Sequence, residues 1–523
     1  MIDCMLRYGA LFLLLSMPVR GCSEDQVKVG MWDRYEGSVL NRTRYDDPYR
    51  DVVLNVTWEA PSGRKMSVPG FYDGQETWKF RFMPVETGTW TYEAWFSDGS
   101  GRAGGKILCT GSTNQGMIVP DPVNPNWFGF TGGQHGMVRG FHVGDCFFAD
   151  NWDDPANECD GNRRSLFLNW LQEQGYNMLS IASHYLNRDQ ESRGAGWDTP
   201  DLWPLDYLEY RKMEAILDDL AGRGIHVYPF AGFFGKSSDF PLVHAEQELY
   251  IRYTLARIGA YDNLLYNVAG PEPRASGRNG GESYRFAMSE EDIGRLGQLI
   301  MKHDPYGHMI TVHNRPNDTM HGSSKWLSFQ SLQGAKGTDL DEVYRFLLER
   351  HEQGKPTYAQ EVFWPGNYLH NDGNPFTRDE IRRKGIVMIM AQSAINFGDM
   401  EGNSSSGFSG IPEPDRVHQE WHDLMHRVWD LFDSTAYYLM DPAPDLVSNG
   451  FCLANPGNMY MVYLPDGGQV EVALNRDLPF EVTWLDTGNM KDRVPGGITW
   501  GKTRFTSPRE GEWMLVLQGS PGK

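Results

Sequence analysis

Between residues 27 and 111 the chain reads as short alternating runs, DVVLNVTWEAP, KMSVPGFYDG, TWKFRFMP and GTWTYEAWFSDG. Val, Thr, Trp, Tyr and Phe recur with a period near two, and Gly, Pro and Asp-Gly signals separate the runs at roughly 10-residue spacing, the pattern of an antiparallel β-sandwich. Residues 112–126, rich in Gly, Pro and Asn, read as a join. From 126 to 436 short apolar runs alternate instead with helical patterns, which predicts βα repeats around a parallel sheet. Eight strand candidates follow one another: FHVGDCFF, NMLSIASHY, IHVYPFAGFF, NLLYNVAG, HMITVHN, WLSFQSL, PTYAQEVFW and MIMAQSAINFGD. Between them lie amphipathic stretches such as the one that places Met213, Ile216, Leu217 and Leu220 on one helical face. Eight such units over about 300 residues match a (β/α)8 barrel. A doubly wound open sheet would carry a glycine-rich turn after its first strand, and FHVGDCFFADNWDD has none. From 438 to 520 alternation returns in GFCLANP, NMYMVYLPDGG, QVEVALN, FEVTWLDTG and EWMLVLQ. The predicted fold class is therefore multidomain, a central (β/α)8 TIM barrel flanked by N-terminal and C-terminal β-sandwiches.

Composition narrows the partners. Lys and Arg total 48 against 69 Asp and Glu, a formal charge of −21, and such a surface repels phosphate backbones, so no nucleic-acid partner is expected. The 17 Trp, 24 Tyr and 26 Phe suit a protein that stacks on neutral polyhydroxylated ligands and hydrogen-bonds their hydroxyls, which makes carbohydrate the expected partner. Arg7 followed by the apolar run from Ala10 to Met17 is too short to cross ~30 Å of hydrocarbon and reads as a signal peptide over residues 1–22. Gly21-Cys22 after this run also resembles a bacterial lipoprotein site, with Cys22 as the lipidated residue and a lipid anchor in place of a transmembrane helix. The expected location is outside the cytoplasm: periplasmic, cell-surface or extracellular. Of the remaining cysteines, Cys146 and Cys159 are close enough to close a loop, while buried thiols are the simpler reading.

In a (β/α)8 barrel, residues at the carboxyl ends of the strands share one mouth. The fourth run ends in Gly270-Pro271-Glu272-Pro273 and the seventh in Gln360-Glu361-Val362-Phe363-Trp364. Two carboxylates in one cleft are the minimum equipment for glycoside hydrolysis, one protonated to assist the leaving oxygen and one ionised to attack carbon or activate water. Glu272 is the candidate acid/base and Glu361 the candidate nucleophile; the structural alternative is that either caps a helix or pairs with an arginine. Candidate substrate-binding residues at other strand ends are Asp145, His184, Tyr185, Phe234, His313, Asn314, Gln330, Trp364, Asp399 and Glu401, with Gln333 beside Gln330. His184 and His313 read equally as structural histidines, and Trp364 as a core residue. There is no HExxH, paired CxxC, EF-hand loop, GxSxG or phosphate loop, so neither a metal nor a cofactor is expected.

The order of FHVGDCFFADNW, DPYGHMITVH, WLSFQSLQG, KPTYAQE and NFGD, over roughly Phe128 to Asp433, resembles the apiosidase-like glycoside hydrolases, a branch of the large group of retaining (β/α)8 hydrolases. The flanks agree: PSGRKMSVPGFYDG, TWKFRFMP and ETGTWTYEAWFSD resemble an immunoglobulin-like domain of unknown function, and VYLPDGG, VTWLDTG and EGEWMLVLQ are similar to a β-sandwich labelled collagen-binding in such proteins. The resemblance implies that Glu361 is catalytic. At the fourth strand relatives show Gly-Asp or Asn-Glu where this chain has GPEPR, so an apiose-specific activity does not carry over.

Together these readings predict an exported glycoside hydrolase acting on a plant or algal polysaccharide or its oligosaccharides; the resemblance implies retention, with carboxyl groups about 5–5.5 Å apart, where a gap of roughly 6.5–9.5 Å would indicate inversion. The alternatives are a non-catalytic carbohydrate-binding surface protein and a polysaccharide lyase using His184 and Tyr185.

Overall fold

The computed structural model describes residues 26–143, 147–148, 161–181, 205–230, 233–235, 241, 243–274, 288–316, 318–363, 376–398, 411–415, 417–474, 478–501 and 503–519. Its first strands are β1 (Val27–Gly30), β2 (Tyr35–Leu40), β3 (Leu54–Glu59), β4 (Lys65–Pro69), β5 (Phe71–Tyr72), β6 (Thr77–Phe82), β7 (Gly88–Phe96) and β8 (Arg102–Thr110). They form two sheets, β1-β8-β7-β3-β4 and β2-β6-β5, around Trp58, Trp78, Phe80, Phe82 and Trp90. The pairing is antiparallel except for β1 on β8, which is parallel, a departure from the purely antiparallel pattern expected. A ribbon of β9 (Ile118–Pro120) and β10 (Phe128–Phe130) leads into the barrel.

The barrel follows the alternation in the chain: β11 (Arg139–Val143), α1 (Gly161–Gln174), β12 (Met178–Ile181), α2 (Tyr207–Gly222), β13 (His226–Pro229), the short β14 (Phe234–Gly235), α3 (His244–Ile258), β15 (Tyr266–Pro271), α4 (Glu290–His303), β16 (Ile310–His313), β17 (Gln330–Gln333), α5 (Leu340–Leu348), β18 (Thr357–Glu361), α6 (Arg378–Met390), β19 (Ser393–Phe397) and α7 (Gln419–Asp433). Parallel pairing runs β13-β12-β11-β19-β18-β17-β16-β15, and a bridge between Val227 and Leu264 brings the two ends together, nearly closing an eight-stranded barrel. Polar side chains start the helices. Asp206 caps α2, Ser289 caps α4, and Thr377 with Glu380 forms a capping box on α6. The predicted face of α2, Met213, Ile216, Leu217 and Leu220, is buried. Among the described residues no helix joins β16 to β17.

Val138, Met178, Tyr228, Leu265, Met309, Phe329 and Tyr358 come from or flank successive strands yet form one cluster, which a closed barrel permits only in its interior. Ile118, Phe128 and Phe130 of the ribbon join the same cluster and plug one end. Above this apolar layer the interior turns polar. Tyr228 and Ser331 meet across the barrel at 2.7 Å, and Ser180 donates to Gln360 at 2.9 Å.

The last strands are β20 (Asp441–Pro442), β21 (Phe451–Asn455), β22 (Met459–Leu464), β23 (Gln469–Glu471), β24 (Pro479–Asp486), β25 (Arg493–Trp500), β26 (Arg504–Thr506) and β27 (Trp513–Gly519). Six of them form the sheet β20-β21-β22-β27-β24-β25, and β23 pairs with β26. Alternate residues serve two cores. Phe451, Leu453, Met461, Tyr463 and Met514 pack on the barrel, while Cys452, Ala454, Tyr460, Val462 and Leu515 face Val470 and Phe505 of the β23–β26 pair. Each flank is also bolted by charge. Buried Arg257 of α3 binds Glu214 of α2 at 2.6 Å and Asp73 of the N-terminal unit at 2.9 Å, and Glu512 binds Arg382 of α6 at 2.6 Å. Among the described residues Cys109 and Cys452 are free, buried thiols; Cys146 and Cys159 lie outside them. No helix among the described residues is long and apolar enough to cross a membrane.

Candidate active site

Glu272 and Glu361 stand at the carboxyl ends of the fourth and seventh barrel strands, and in each case the strand is irregular just before the carboxylate. Four steps of β15, Asn267 to Pro271, span two steps of β16, Thr311 to His313. The surplus is absorbed by left-handed backbone at Ala269 (φ 62°) and Gly270 (φ 67°), and Glu272, just past the interval, is left-handed as well (φ 47°). For the two non-glycine residues this conformation costs on the order of 1–3 kcal/mol each, a strain that surrounding structure must impose and that clusters at functional sites. In β18, Ala359 and Glu361 pair with the adjacent residues Leu332 and Gln333 of β17, so Gln360 is a bulge. A regular strand would send Gln360 and Glu361 to opposite faces; the bulge relaxes that alternation and re-aims Glu361.

Two residues on the intervening strands touch both strand ends. The His313 carbonyl accepts from the Glu272 N–H at 2.7 Å, while His313 Nε2 lies 3.4 Å from Glu361 Oε2. Gln333 pairs in register with Glu361, and its Nε2 donates to Glu272 Oε1 at 3.0 Å and to the Asn314 carbonyl at 2.9 Å. Arg315, half exposed, places Nε 3.6 Å from Glu272 Oε2. Both carboxylates are buried, Glu272 at 7 % and Glu361 at 6 % exposure. Burial pushes His313 and His142 down to about 3, so both rings are neutral near pH 7. Burial raises the Tyr228 hydroxyl far above its ordinary range, and the charge of Glu361 adds to the effect.

Beneath the carboxylates is a polar floor. Gln360 accepts from Ser180, its backbone carbonyl accepts from Asn396 at 2.9 Å, and its amide lies 3.4 Å from His142 Nδ1. Asn267 donates to the Phe230 carbonyl and accepts from the His313 N–H, and the Phe230 ring packs edge-on against His313. Lys384 of α6, fully buried and lowered by that burial to about 7, donates to the carbonyls of Ala335 and Gly337 and so pins the loop after Gln333.

Of the residues singled out from the sequence, the structure brings Glu272, Glu361, His313 and Gln333 together. Asn314 reaches the cluster through its backbone carbonyl, its side-chain amide donating to Met320 O. Gln330 begins β17 at the end remote from the mouth and, with Asn314, Arg315 and Glu352, lines a cavity of about 240 Å³ beside α5. Phe234 is buried and packs edge-on against Tyr250 and Tyr266, within the layer between strands and helices. Asp145, His184, Tyr185, Trp364, Asp399, Glu401 and Cys22 lie outside the described residues. Sequence reading passed over His142, Ser180, Asn267, Gln360 and Asn396. Each sits one or more residues before a strand end, and the signal that could have found them is a polar side chain within an otherwise apolar barrel strand. Among the described residues no group of His, Cys, Asp and Glu is arranged to hold a metal.

Residues 28–97 match the model of a domain of unknown function, DUF5060. No curated protein matches the chain. Among solved structures, a candidate glycoside hydrolase from Bacteroides vulgatus superposes with a TM-score of 0.71 at 17% identity, covering 95% of this chain and 100% of that one. A family 5 glycoside hydrolase from the same organism gives 0.54 at 16% identity, covering 77% and 94%, and a further glycoside hydrolase gives 0.56 at 15%, covering 78% and 97%. At these identities the likeness is one of fold: the chain shares its fold with these solved glycoside hydrolases, over 95% of its length in the first case and 77–78% in the others.

Proposed function

We propose that the protein is a glycoside hydrolase of retaining type that cleaves a plant or algal polysaccharide or its oligosaccharides, with Glu361 as nucleophile and Glu272 as acid/base. The observation that carries this reading is the pairing of two buried carboxylates at the ends of β15 and β18, tied together through Gln333 and His313. In the first step a Glu361 oxygen attacks the anomeric carbon, the bond to the leaving oxygen breaks, and its electron pair takes the proton from Glu272. In the second, Glu272 removes a proton from water, the water oxygen attacks the same carbon, and the Glu361 carboxylate departs. The neutral His313 suits a nucleophile, since it adds no positive charge that would tie up the Glu361 anion. Export through the residue 1–22 leader, with Cys22 as a lipid-anchoring residue, and affinity with the apiosidase-like branch belong to the same reading and rest on the motifs quoted above.

The deciding experiment is a screen of the purified protein against neutral and acidic polysaccharides, with product sizing and proton NMR of the first-formed anomer. Reducing ends of retained configuration are expected. Binding without cleavage across the panel, or unsaturated products absorbing in the ultraviolet, would replace the hydrolase reading with a binding protein or a lyase.

A further inference from the structure

Gln333 is buried at 5 % exposure, and its side-chain nitrogen serves two acceptors, Glu272 Oε1 at 3.0 Å and the Asn314 backbone carbonyl at 2.9 Å. A backbone carbonyl can only accept. The end of the amide that faces Asn314 must therefore be NH₂, and the same NH₂ faces Glu272. The orientation of the side chain thus follows from chemistry, and cannot invert to offer its oxygen to the carboxyl group.

From this, and resting on the glycosidase reading, we infer that Gln333 is the positioning residue of the acid/base. Its locked amide keeps Glu272 Oε1 an acceptor in both protonation states and so assigns the transferable proton to Oε2. In the acid form the proton resides on Oε2, the oxygen beside Arg315; in the base form Oε1 remains engaged, and Oε2 receives the proton from water. The Gln333 amide holds the carboxyl group at Oε1, and the His313 carbonyl holds the Glu272 backbone through its N–H. Charged and titratable groups around it, among the described residues, include Arg315 at 3.6 Å from Oε2, the neutral His313 on β16, and Glu361 in register with Gln333 on β18; Lys336 acts on His313. A hydrogen bond donated to a carboxylate favours its ionised form, so a variant without the Gln333 donor is expected to favour the protonated one.

The test uses the full chain with Gln333→Met, which keeps the side-chain length and removes both donors, and Gln333→Glu, which puts an acceptor where the donor stood. With aryl glycosides as probes, the alkaline limb of the kcat/KM profile should move up by about one pH unit in Gln333→Met, and further in Gln333→Glu. The loss in kcat should be steep for poor leaving groups and slight for 2,4-dinitrophenyl glycosides, which leave without a proton. A second readout needs no substrate: titration of the Glu272 carboxyl by ¹³C NMR of glutamate-labelled protein, assigned with Glu272→Gln, should show its midpoint displaced upward in both variants. A midpoint that does not move in folded variants overturns the inference even if activity falls. A midpoint that moves in a chain that hydrolyses no glycoside supports the inference and sinks the glycosidase reading instead.

Discussion

His313 Nε2 lies 3.4 Å from Glu361 Oε2, and the two do not form an ion pair, because burial pushes the imidazole down to about 3. His142, across the polar floor, is lowered to about 3 for the same reason. Unfolded histidine titrates near 6.5, so between roughly pH 6.5 and 3 the unfolded chain binds more protons than the folded one and stability falls as pH falls. Each of the two rings contributes a slope of ~1.4 kcal/mol per pH unit inside that window. Melting temperature should therefore decline from pH 6.5 toward pH 4, and His313→Asn should flatten the decline when measured by calorimetry. An unchanged slope would show that the ring is not held neutral.

Glu272→Gln and Glu361→Gln each replace one buried carboxylate with a near-isosteric amide. Both should fold with circular dichroism like the parent and lose at least about 10³-fold in kcat on polysaccharide, since in the proposed mechanism one transfers the proton and the other forms the bond to carbon. Glu272→Ala with an activated aryl glycoside should regain turnover on addition of azide, yielding a glycosyl azide of retained configuration; Glu361→Ala should yield the inverted azide. Near-parental turnover in either Gln variant would remove that residue from the mechanism.

The N-terminal unit is tied to the barrel by a buried charge network. Arg257 is fully buried between Glu214 and Asp73, and Arg81 adds contacts to Glu214 and to the Arg257 carbonyl. Removing one member strands opposite charges in a low-dielectric interior, which costs about 3–5 kcal/mol. Arg257→Met should lower stability to denaturant by that amount and open the join at residues 112–126 to limited proteolysis, while the doubly conservative Glu214→Gln, Arg257→Met pair should recover part of the loss. A single variant as stable as the parent would mean that apolar packing of Phe71, not the ion network, holds the interface.

How much of this was legible beforehand differs by level. Each of the eight runs picked out by periodicity overlaps a barrel strand, because a barrel strand buried on both sides reads as a short apolar run and a helix leaning on it reads with period 3.6. That Glu272 and Glu361 stand at strand ends was visible because each follows directly on an apolar run, and the end of a run marks the end of its strand. Gln330 and Gln333 show why the rest was not: three positions apart on one short run and lining the same cavity, they stand at opposite ends of β17, and Gln333 pairs with Glu361 and donates to Glu272, which residue identity does not encode. Phe234 was drawn toward the mouth by its place after an apolar run, yet pairing with Val268 turns it into the outer layer.

Local periodicity and turn chemistry thus determined the order of elements, the flanking sheets and the pair of acidic residues, since these depend only on near neighbours along the chain. The contacts that make a site of them were decided in three dimensions. The β15 irregularity and the Gln360 bulge turn the carboxylates, barrel closure carries Ser180 and His142 to Gln360, and one backbone carbonyl at Asn314 sets the direction of the Gln333 amide. Those relations join residues tens to hundreds of positions apart, and their geometry follows from register and closure, which no local pattern of hydrophobic and polar residues specifies.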